Sequence, residues 1–424
     1  MSWRRRLKFL VQSIFYALIF MYVLGPASVP PNDPVAKVRA YTRAVEFDYV
    51  DWTIDALLIK LTRAPLDTID YLYTADQRQV VLSYIDLIGA IQQAESQLTL
   101  IYADPATEDP EAQAAPVRQQ LEDLHAQRNL SAPLAEAILQ EMVSTAAAEM
   151  GFTLGGQPVP PLMYHSTPLP WALIVSPREK IEQEANISLE TSLTVEDHIR
   201  LEDEIAAGLD VSTLVVPVGG VGTYPTMVAQ TTNLNWLVEV IAHEWIHNYL
   251  SLRPLGVRYN QSPELRTMNE TTANIAGDEI GAVVIEAFFP ELAPPPPVEE
   301  PDTATDEEPP AEPETPVFDF RAEMHETRVT TDKLLAEGKV EEAEGYMEMR
   351  RQFLWDHGYQ IRKLNQAYFA FYGAYADQPV GSAGEDPVGS AVRQLRAESN
   401  TLIEFVRVIS GVKSFEQLQS LLSP

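Results

Sequence analysis

The 424-residue chain contains no cysteine. This absence excludes disulfide bonds, cysteine nucleophiles and zinc sites built from thiolates. A transition-metal site in this chain would have to use histidine, aspartate or glutamate side chains. Histidine is itself scarce, with 7 residues, so few positions can supply an imidazole ligand.

Basic residues are outnumbered by acidic ones, with 30 Lys and Arg against 61 Asp and Glu and a net charge of -31. A chain of this charge repels phosphate backbones and anionic membrane surfaces, which argues against nucleic acid as a partner. Two catalytic signatures are missing as well. There is no G-x-S-x-G motif, and no G-K-[ST] follows the glycines at 219–222, so neither a serine-hydrolase elbow nor a phosphate-binding loop is expected.

One apolar run stands out near the N terminus, from Phe9 to Leu24, directly after the basic segment 4–8. A helix that spans a bilayer needs about 20 apolar residues, and a preceding basic block favours a cytoplasmic N terminus. We therefore expect residues 1–31 to form an uncleaved signal anchor, a transmembrane helix that leaves the rest of the chain extracytoplasmic. A cleaved signal peptide is the close alternative, and a buried N-terminal helix is a weaker one.

The remaining sequence divides into four parts by composition and apolar spacing. Residues 32–150 have the spacing of helices, 151–289 combine short β-branched runs with two long helical segments, and 319–424 are again helical. Residues 290–318 are rich in Pro and Glu and cannot bury enough apolar surface to order themselves, so a disordered insertion is predicted. The fold class predicted is α+β, mostly helical with a small mixed β-sheet.

The segment VIAHEWIH carries the first candidate site. Residues four apart lie on one face of a helix, so His243 and His247 can bind one metal ion through their ring nitrogens. Glu244 is rotated by about 100° from His243, which places it beside the metal rather than on it. A carboxylate there can take a proton from a water molecule that zinc has made more acidic.

A catalytic zinc ion needs a third protein ligand, which in this chain must be an acid or a histidine. Glu270 lies on the next predicted helix, and Asn274, Gly277 and Gly281 share its helical face. Such a face can pack closely on another helix while it presents a carboxylate. Asn274 is predicted to hydrogen-bond the far nitrogen of a ligating histidine. Two rival acids on the same helix point away from this face, namely Asp278 and Glu279.

The segment HEWIH followed by NETTAN resembles the gluzincin metallopeptidases, the thermolysin-like and aminopeptidase-like zincins, in which H-E-x-x-H precedes N-E on the next helix. The resemblance implies a zincin-like catalytic domain with zinc bound by His243, His247 and Glu270. It also implies that Glu244 is the general base and that the chain hydrolyses peptide bonds. Thermolysin-like members usually have Asp where Asn274 stands, so that charge is missing here.

Two short patches, PVGGVGTY and LNQAYFAFYGAY, are also similar to segments of a bacterial family of predicted aminopeptidases. The first lies where zincins keep an edge strand, which could pair with an extended peptide. The predicted substrate-binding residues are therefore Gly219, Gly220, Val221, Gly222 and Tyr224. The G-x-M-E-N segment with which aminopeptidases hold the substrate's amino group is absent.

An oxyanion donor is the last part that a zinc peptidase needs. In gluzincins a Tyr or His after the third ligand supplies it. The likeness to the predicted aminopeptidases favours Tyr375, with Tyr372 as the next candidate; both could instead belong to an aromatic core stripe.

Three functions are compatible with this sequence. The first is a membrane-anchored, extracytoplasmic zinc peptidase that acts on peptide or protein substrates. The second is an inactive zincin-fold binding or scaffold protein at the cell surface, and the third is a zinc hydrolase that cleaves something other than peptides. The presence of Glu244 favours an enzyme, because a scaffold does not need a general base.

Overall fold

The computed structural model describes Tyr16 and residues 33–62, 69–103, 108–294, 318–373 and 387–422. These residues are mostly helical, and six short strands form two three-stranded sheets. The Pro/Glu-rich insertion predicted at 290–318 lies almost entirely outside the described residues.

The N-terminal region is helical, as its apolar spacing predicts. Its α-helices are α1 (Pro34–Thr42), α2 (Tyr49–Thr62), α3 (Thr74–Ala103) and α4 (Pro110–Glu149). Helices α3 and α4 pack along each other, and buried residues such as Ile88 and Ile138 join the main hydrophobic core. Because the same core contains Trp245 and Ile280, this helical region also supports the metal-site helices described below.

The first sheet is antiparallel, with the strand order β3-β2-β4. Its strands are β2 (Trp171–Pro177), β3 (Ala185–Leu189) and β4 (Val211–Val216). Helix α5 (Val195–Leu209) connects β3 to β4 and begins with a capping box, in which Thr194 and Asp197 bond reciprocally.

The second sheet is mixed and smaller. Strand β1 (Tyr164–Ser166) runs parallel to β6 (Thr226–Val228), and β5 (Gly220–Val221) pairs antiparallel with the other side of β6. One mixed sheet was expected, so the prediction is wrong on this point. Strands of two and three residues are too short to show a period of two, and the sequence could not separate them from the first sheet.

Two long helices follow the sheets. Helix α6 (Leu234–Ser251) is capped by Asn233, and α8 (Pro263–Phe288) is capped by Ser262, with the short α7 (Pro254–Val257) between them. A methyl group at Gly277 would lie 2.9 Å from the backbone oxygen of Glu239 on α6. The close packing expected from the glycines of α8 is therefore confirmed.

The C-terminal helices close the fold. They are α9 (Phe320–Ala336), α10 (Val340–Asp356), α11 (Gln366–Tyr372), α12 (Pro387–Glu398), α13 (Leu402–Ser410) and α14 (Phe415–Leu421). Helix α11 covers one face of the antiparallel sheet, where Phe369 packs with Ile174. The opposite face, which includes Leu173, packs against Ile205 of α5. The sheet is therefore buried between helices and holds α11 beside the metal site.

In the described part of the chain, no helix is long and apolar enough to cross a membrane. The N-terminal anchor in the predicted fold class is therefore not supported, and we correct that class to a mostly helical α+β fold with two small sheets. Of the apolar run on which the anchor was based, only Tyr16 lies among the described residues.

Candidate metal centre

Helix α6 places two imidazole rings side by side. The Nε2 atoms of His243 and His247 are 3.0 Å apart, as the spacing of four residues requires. The opposite side of the helix is fixed in the core by fully buried residues such as Ile241 and Trp245. The rings therefore extend from a helix that has little freedom to rotate.

Helix α8 brings the carboxylate of Glu270 to the same point. Its Oε2 atom lies 3.6 Å from Nε2 of His243 and 3.5 Å from Nε2 of His247. Glu270 is only 3% exposed, and this oxygen is buried without a hydrogen-bond partner among the described residues. A buried carboxylate oxygen that faces two ring nitrogens is a costly arrangement unless a cation binds it. His243, His247 and Glu270 thus form a group that could bind a metal ion.

The charges within this group depend strongly on one another. Burial disfavours the charged form of His247, but the charge of Glu270 3.5 Å away, the charge of Glu244 and the hydrogen bond to Asn269 outweigh it and raise the pKa of His247 to about 9. Burial also disfavours the ionised form of Glu270, yet the two histidines hold the pKa of this carboxyl well below its ordinary value. The protein therefore favours an ionised carboxylate that has positive charge directly beside it.

The outer atoms of two ligands are held by neighbouring side chains. Nδ1 of His247 lies 2.8 Å from Oδ1 of Asn269, which accepts a hydrogen bond from the ring and so keeps an N–H at Nδ1. A metal ion would then bind at Nε2 in place of the proton there. The hydroxyl of Tyr259 donates to Oε1 of Glu270 and so leaves Oε2 to face the histidines.

Asn274 does not hydrogen-bond His243 or His247, the contact predicted for it, within the described part of the chain. It lines a neighbouring cavity instead, and its Nδ2 atom is buried without a hydrogen-bond partner. Asn269, which directly precedes Glu270, orients His247 in its place. Asn269 is the first residue of the N-E pair in NETTAN. Helical spacing alone instead favoured Asn274, which lies one turn after Glu270 on α8.

Glu244 lies beside the three donors and not among them, as its rotation on the helix predicts. It is 6% exposed, and its carboxylate makes no hydrogen bond to any described residue. Burial raises the pKa of Glu244. The two histidines lower this pKa and the charge of Glu270 raises it, and the net result lies above the ordinary value. This glutamate is therefore held in a proton-accepting position without a fixed partner.

Strand β5 approaches the metal group very closely. A methyl group at Gly220 would lie 2.6 Å from Cγ of Glu244 and would collide with its Oε1, and one at Gly222 would lie 3.0 Å from Cβ of His247. Only a residue without a side chain lets the strand run this near to the two helical residues. Two of the glycines that the sequence assigned to substrate binding, Gly220 and Gly222, thus line the site.

The predicted substrate-binding residues do not all share one position. Gly220, Val221 and Gly222 line the cavity that contains the metal group, whereas Gly219 lines the neighbouring one. Tyr224 lines neither of these two cavities, and its hydroxyl donates to the backbone oxygen of Pro161.

The cavity around the metal group has a volume of about 280 Å³. Besides the donors and β5, its wall includes Ser188 of β3 and two tyrosines that the sequence did not indicate, Tyr49 and Tyr259. The hydroxyl of Tyr49 lies 2.7 Å from Oγ of Ser188. Tyr49 comes from α2, far away in the chain, so no local pattern could have marked it.

Of the two tyrosines predicted to stabilise an oxyanion, the structure describes only Tyr372. Tyr372, at the end of α11, lines the neighbouring cavity together with His243 and Glu244. Tyr375 lies outside the described residues. The two rival acids are not part of the metal group. Glu279 is paired with Arg396 at 2.6 Å, and Asp278 is exposed and lines the neighbouring cavity.

Comparison with known proteins adds no family to this description. No protein-family model, curated protein or solved structure matches the chain. The functional argument therefore depends on the geometry of His243, His247, Glu270 and Glu244.

Proposed function

We propose that this chain is a zinc-dependent peptidase in which His243, His247 and Glu270 bind zinc and Glu244 is the general base. The observation that carries the proposal is the meeting of these side chains, with the buried Oε2 of Glu270 within 3.6 Å of two ring nitrogens and without a hydrogen bond to any described residue. A gluzincin-type site has this donor set, and the H-E-x-x-H and N-E motifs supply it here.

The choice of zinc follows from the donors and their spacing. Ligand atoms at about 2.0–2.2 Å from a tetrahedral zinc ion lie about 3.3–3.6 Å from one another. The two separations from Glu270, 3.5 and 3.6 Å, lie in this range, and the 3.0 Å between the two ring nitrogens is slightly shorter. Two imidazoles and one carboxylate suit zinc, and three protein ligands leave a fourth position for water. When bound, zinc would lower the pKa of that water to about 7.

Glu244 supports hydrolysis rather than simple metal storage. A structural metal site has no need of a buried carboxylate beside its ligands, and burial is costly when no partner is present. As general base, Glu244 would take the proton of the attacking water and pass it to the departing nitrogen. Its raised pKa suits this exchange, because an ordinary carboxylate is a weak base at neutral pH.

Peptides are favoured as substrates by the position of β5. In its sheet this strand pairs with β6 on one side only. Gly220 and Val221 lie in the wall of the cavity that contains the zinc ligands. An extended peptide could add to the free side of β5 through backbone hydrogen bonds, which would bring a peptide bond to the metal.

The phenol of Tyr49 is our candidate for the oxyanion donor. It lines the same cavity as the zinc ligands, and the charge of Glu244 contributes to raising its pKa after the larger effect of burial. The phenol of Tyr259 donates to a zinc ligand, whereas the phenol of Tyr49 is bonded to the Ser188 hydroxyl, which can itself act as the donor and so free the phenol proton. A neutral phenol can donate a hydrogen bond to developing negative charge without losing its own proton.

Removal and return of the metal tests the proposal. The purified full chain would be treated with a chelator, reloaded with zinc, magnesium or calcium, and incubated with a mixed peptide library whose products are read by mass spectrometry. We expect cleavage to stop after chelation and to return with about one equivalent of zinc only. Cleavage that continues in metal-free protein would overturn the proposal. Zinc-loaded protein that cleaves no peptide would favour a binding protein or a hydrolase for other bonds.

A further inference from the structure

A second cavity of about 260 Å³ lies next to the metal site. Glu244 and His243 line both cavities, so the two are neighbours on either side of these residues. The second cavity extends along α6 towards its N-terminal end, where Glu239 lies one turn before His243. A ligand that reaches the metal from this side would therefore extend past Glu239.

Two carboxylates stand in the wall of this cavity. Glu239 on α6 and Asp278 on α8 both line it, and neither forms an ion pair within the described part of the chain. The side chain of Glu239 is held against α8, since a methyl group at Gly281 would lie 2.8 Å from its Cγ. Burial, and then the charge of Asp278, raise the pKa of Glu239 to about 7. A cation bound between these acids would remove that cost.

The remaining wall is largely apolar. Val218, Trp236, Val240 and Phe371 line it, and no Lys or Arg occurs among the described lining residues. A small metal ion gains nothing from such walls. A lysine or arginine side chain fits them, because its apolar stem can pack on the aromatic surfaces while its charged end reaches the acids.

A separate observation connects this cavity with a substrate. Glu244, at 6% exposure, is a buried carboxylate without a hydrogen-bond partner in the described chain, and it faces the cavity. The base that protonates a departing amine must lie on the side of that amine. The part of the peptide that follows the cleaved bond would thus lie on the Glu244 side of the metal.

We propose that this cavity receives the side chain of the residue directly after the cleaved bond, and that Glu239 and Asp278 select lysine or arginine there. The inference rests on the proposed peptidase function, to which it adds a class of substrate. It predicts cleavage on the N-terminal side of basic residues.

The first test compares peptides that differ only in the residue after the cleaved bond, lysine against norleucine, which has a similar stem without the charge. We expect kcat/KM of the zinc-loaded full chain to be at least about 10-fold higher for lysine. The double variant Glu239→Gln/Asp278→Asn should cleave both peptides at similar rates. The control Glu286→Gln removes an exposed acid elsewhere on α8 and should keep the preference.

The second test does not need catalysis. Binding of lysinamide and of norleucinamide to the metal-free full chain would be measured by titration calorimetry. Lysinamide should bind at least about 10-fold more tightly, and the double variant should lose this difference. If the double variant does not fold, Asp278→Asn alone, at an exposed position, should reduce the difference several-fold.

The two tests separate the two proposals. Cleavage of both peptides at equal rates, with no preference for lysinamide, would overturn the role of the cavity and leave the peptidase standing. Preference for lysinamide in a zinc-loaded chain that cleaves nothing would overturn the peptidase and support a cavity for organic cations. A lysine preference that survives in the double variant would overturn the assignment of Glu239 and Asp278.

Discussion

Asn269 and His247 are joined side chain to side chain, with Oδ1 of the amide 2.8 Å from Nδ1 of the ring. The contact fixes which ring nitrogen carries the proton and points Nε2 towards Glu270. Because Asn269 directly precedes Glu270, a single turn of α8 supplies both a ligand and the group that orients another ligand.

Replacement of Asn269 by alanine is therefore expected to weaken zinc binding by about 10- to 100-fold, because the His247 ring loses its fixed orientation. Asn274→Ala is the matched control. It removes the same amide group from a residue that lies on the same helix as Asn269 but does not hydrogen-bond His247. Competition with a chromogenic chelator would measure both affinities. Equal losses in the two variants would contradict the role given to Asn269.

A side chain at Gly220 should abolish catalysis without removing the metal. Gly220→Ala places a methyl group against the carboxylate of Glu244, so either β5 or the glutamate must move. We expect peptide cleavage to fall by about 100-fold or more while zinc content is unchanged.

The control for this variant is Gly345→Ala in α10, where an added methyl group meets nothing within 4 Å. That change should leave cleavage unaltered and stabilise the fold by about 0.5–1 kcal/mol, because alanine favours the helix. Full activity in Gly220→Ala would show that β5 and Glu244 do not need their close approach.

Loss of one hydroxyl group tests the oxyanion donor. Tyr49→Phe keeps the ring and should lower kcat by about 100- to 1,000-fold, with little change in zinc affinity. Tyr71→Phe, at an exposed tyrosine that lines neither cavity, is the control. If Tyr49→Phe is fully active and Tyr372→Phe is not, the oxyanion donor is Tyr372, the second candidate from the sequence.

The titration of Glu239 predicts how stability depends on pH. Its pKa is about 7 in the folded chain, above its ordinary 4.5. The folded state therefore holds a proton that the unfolded state releases, and the stabilisation is complete below about 4.5 and lost as the pH rises through about 7. Glu239→Gln cannot ionise, so its Tm relative to wild type should rise between pH 5 and pH 8. A difference in Tm that does not change over this range would contradict the shift.

The arrangement of His243, Glu244, His247 and Glu270 can largely be predicted from the sequence, because the direction of each side chain is set within a single helix. The spacing within HEWIH determines how His243, Glu244 and His247 point, and the face shared by Glu270 and Gly277 determines which side of α8 meets α6. Local helix signals such as the capping box at Thr194 are likewise found in the structure.

The parts that sequence reasoning missed depend on contacts between distant segments. Whether Asn269 or Asn274 reaches His247 is decided by the rotation of α8 against α6, which periodicity does not specify. Tyr49 reaches the site through the packing of α2 near Ser188, 139 residues away in the chain. The two sheets were merged into one because β5 and β6 are too short to show a pattern of their own.

The central claim is that zinc bound by His243, His247 and Glu270 works with Glu244 as the base. The most direct measurement determines zinc content and peptide cleavage together, in the wild type and in Glu244→Gln. We predict one zinc per chain in both proteins, with cleavage in the wild type and a loss of about 100-fold or more in the variant. Wild-type protein that neither contains zinc nor takes it up, or a Glu244→Gln variant that cleaves peptides at the wild-type rate, would contradict the account.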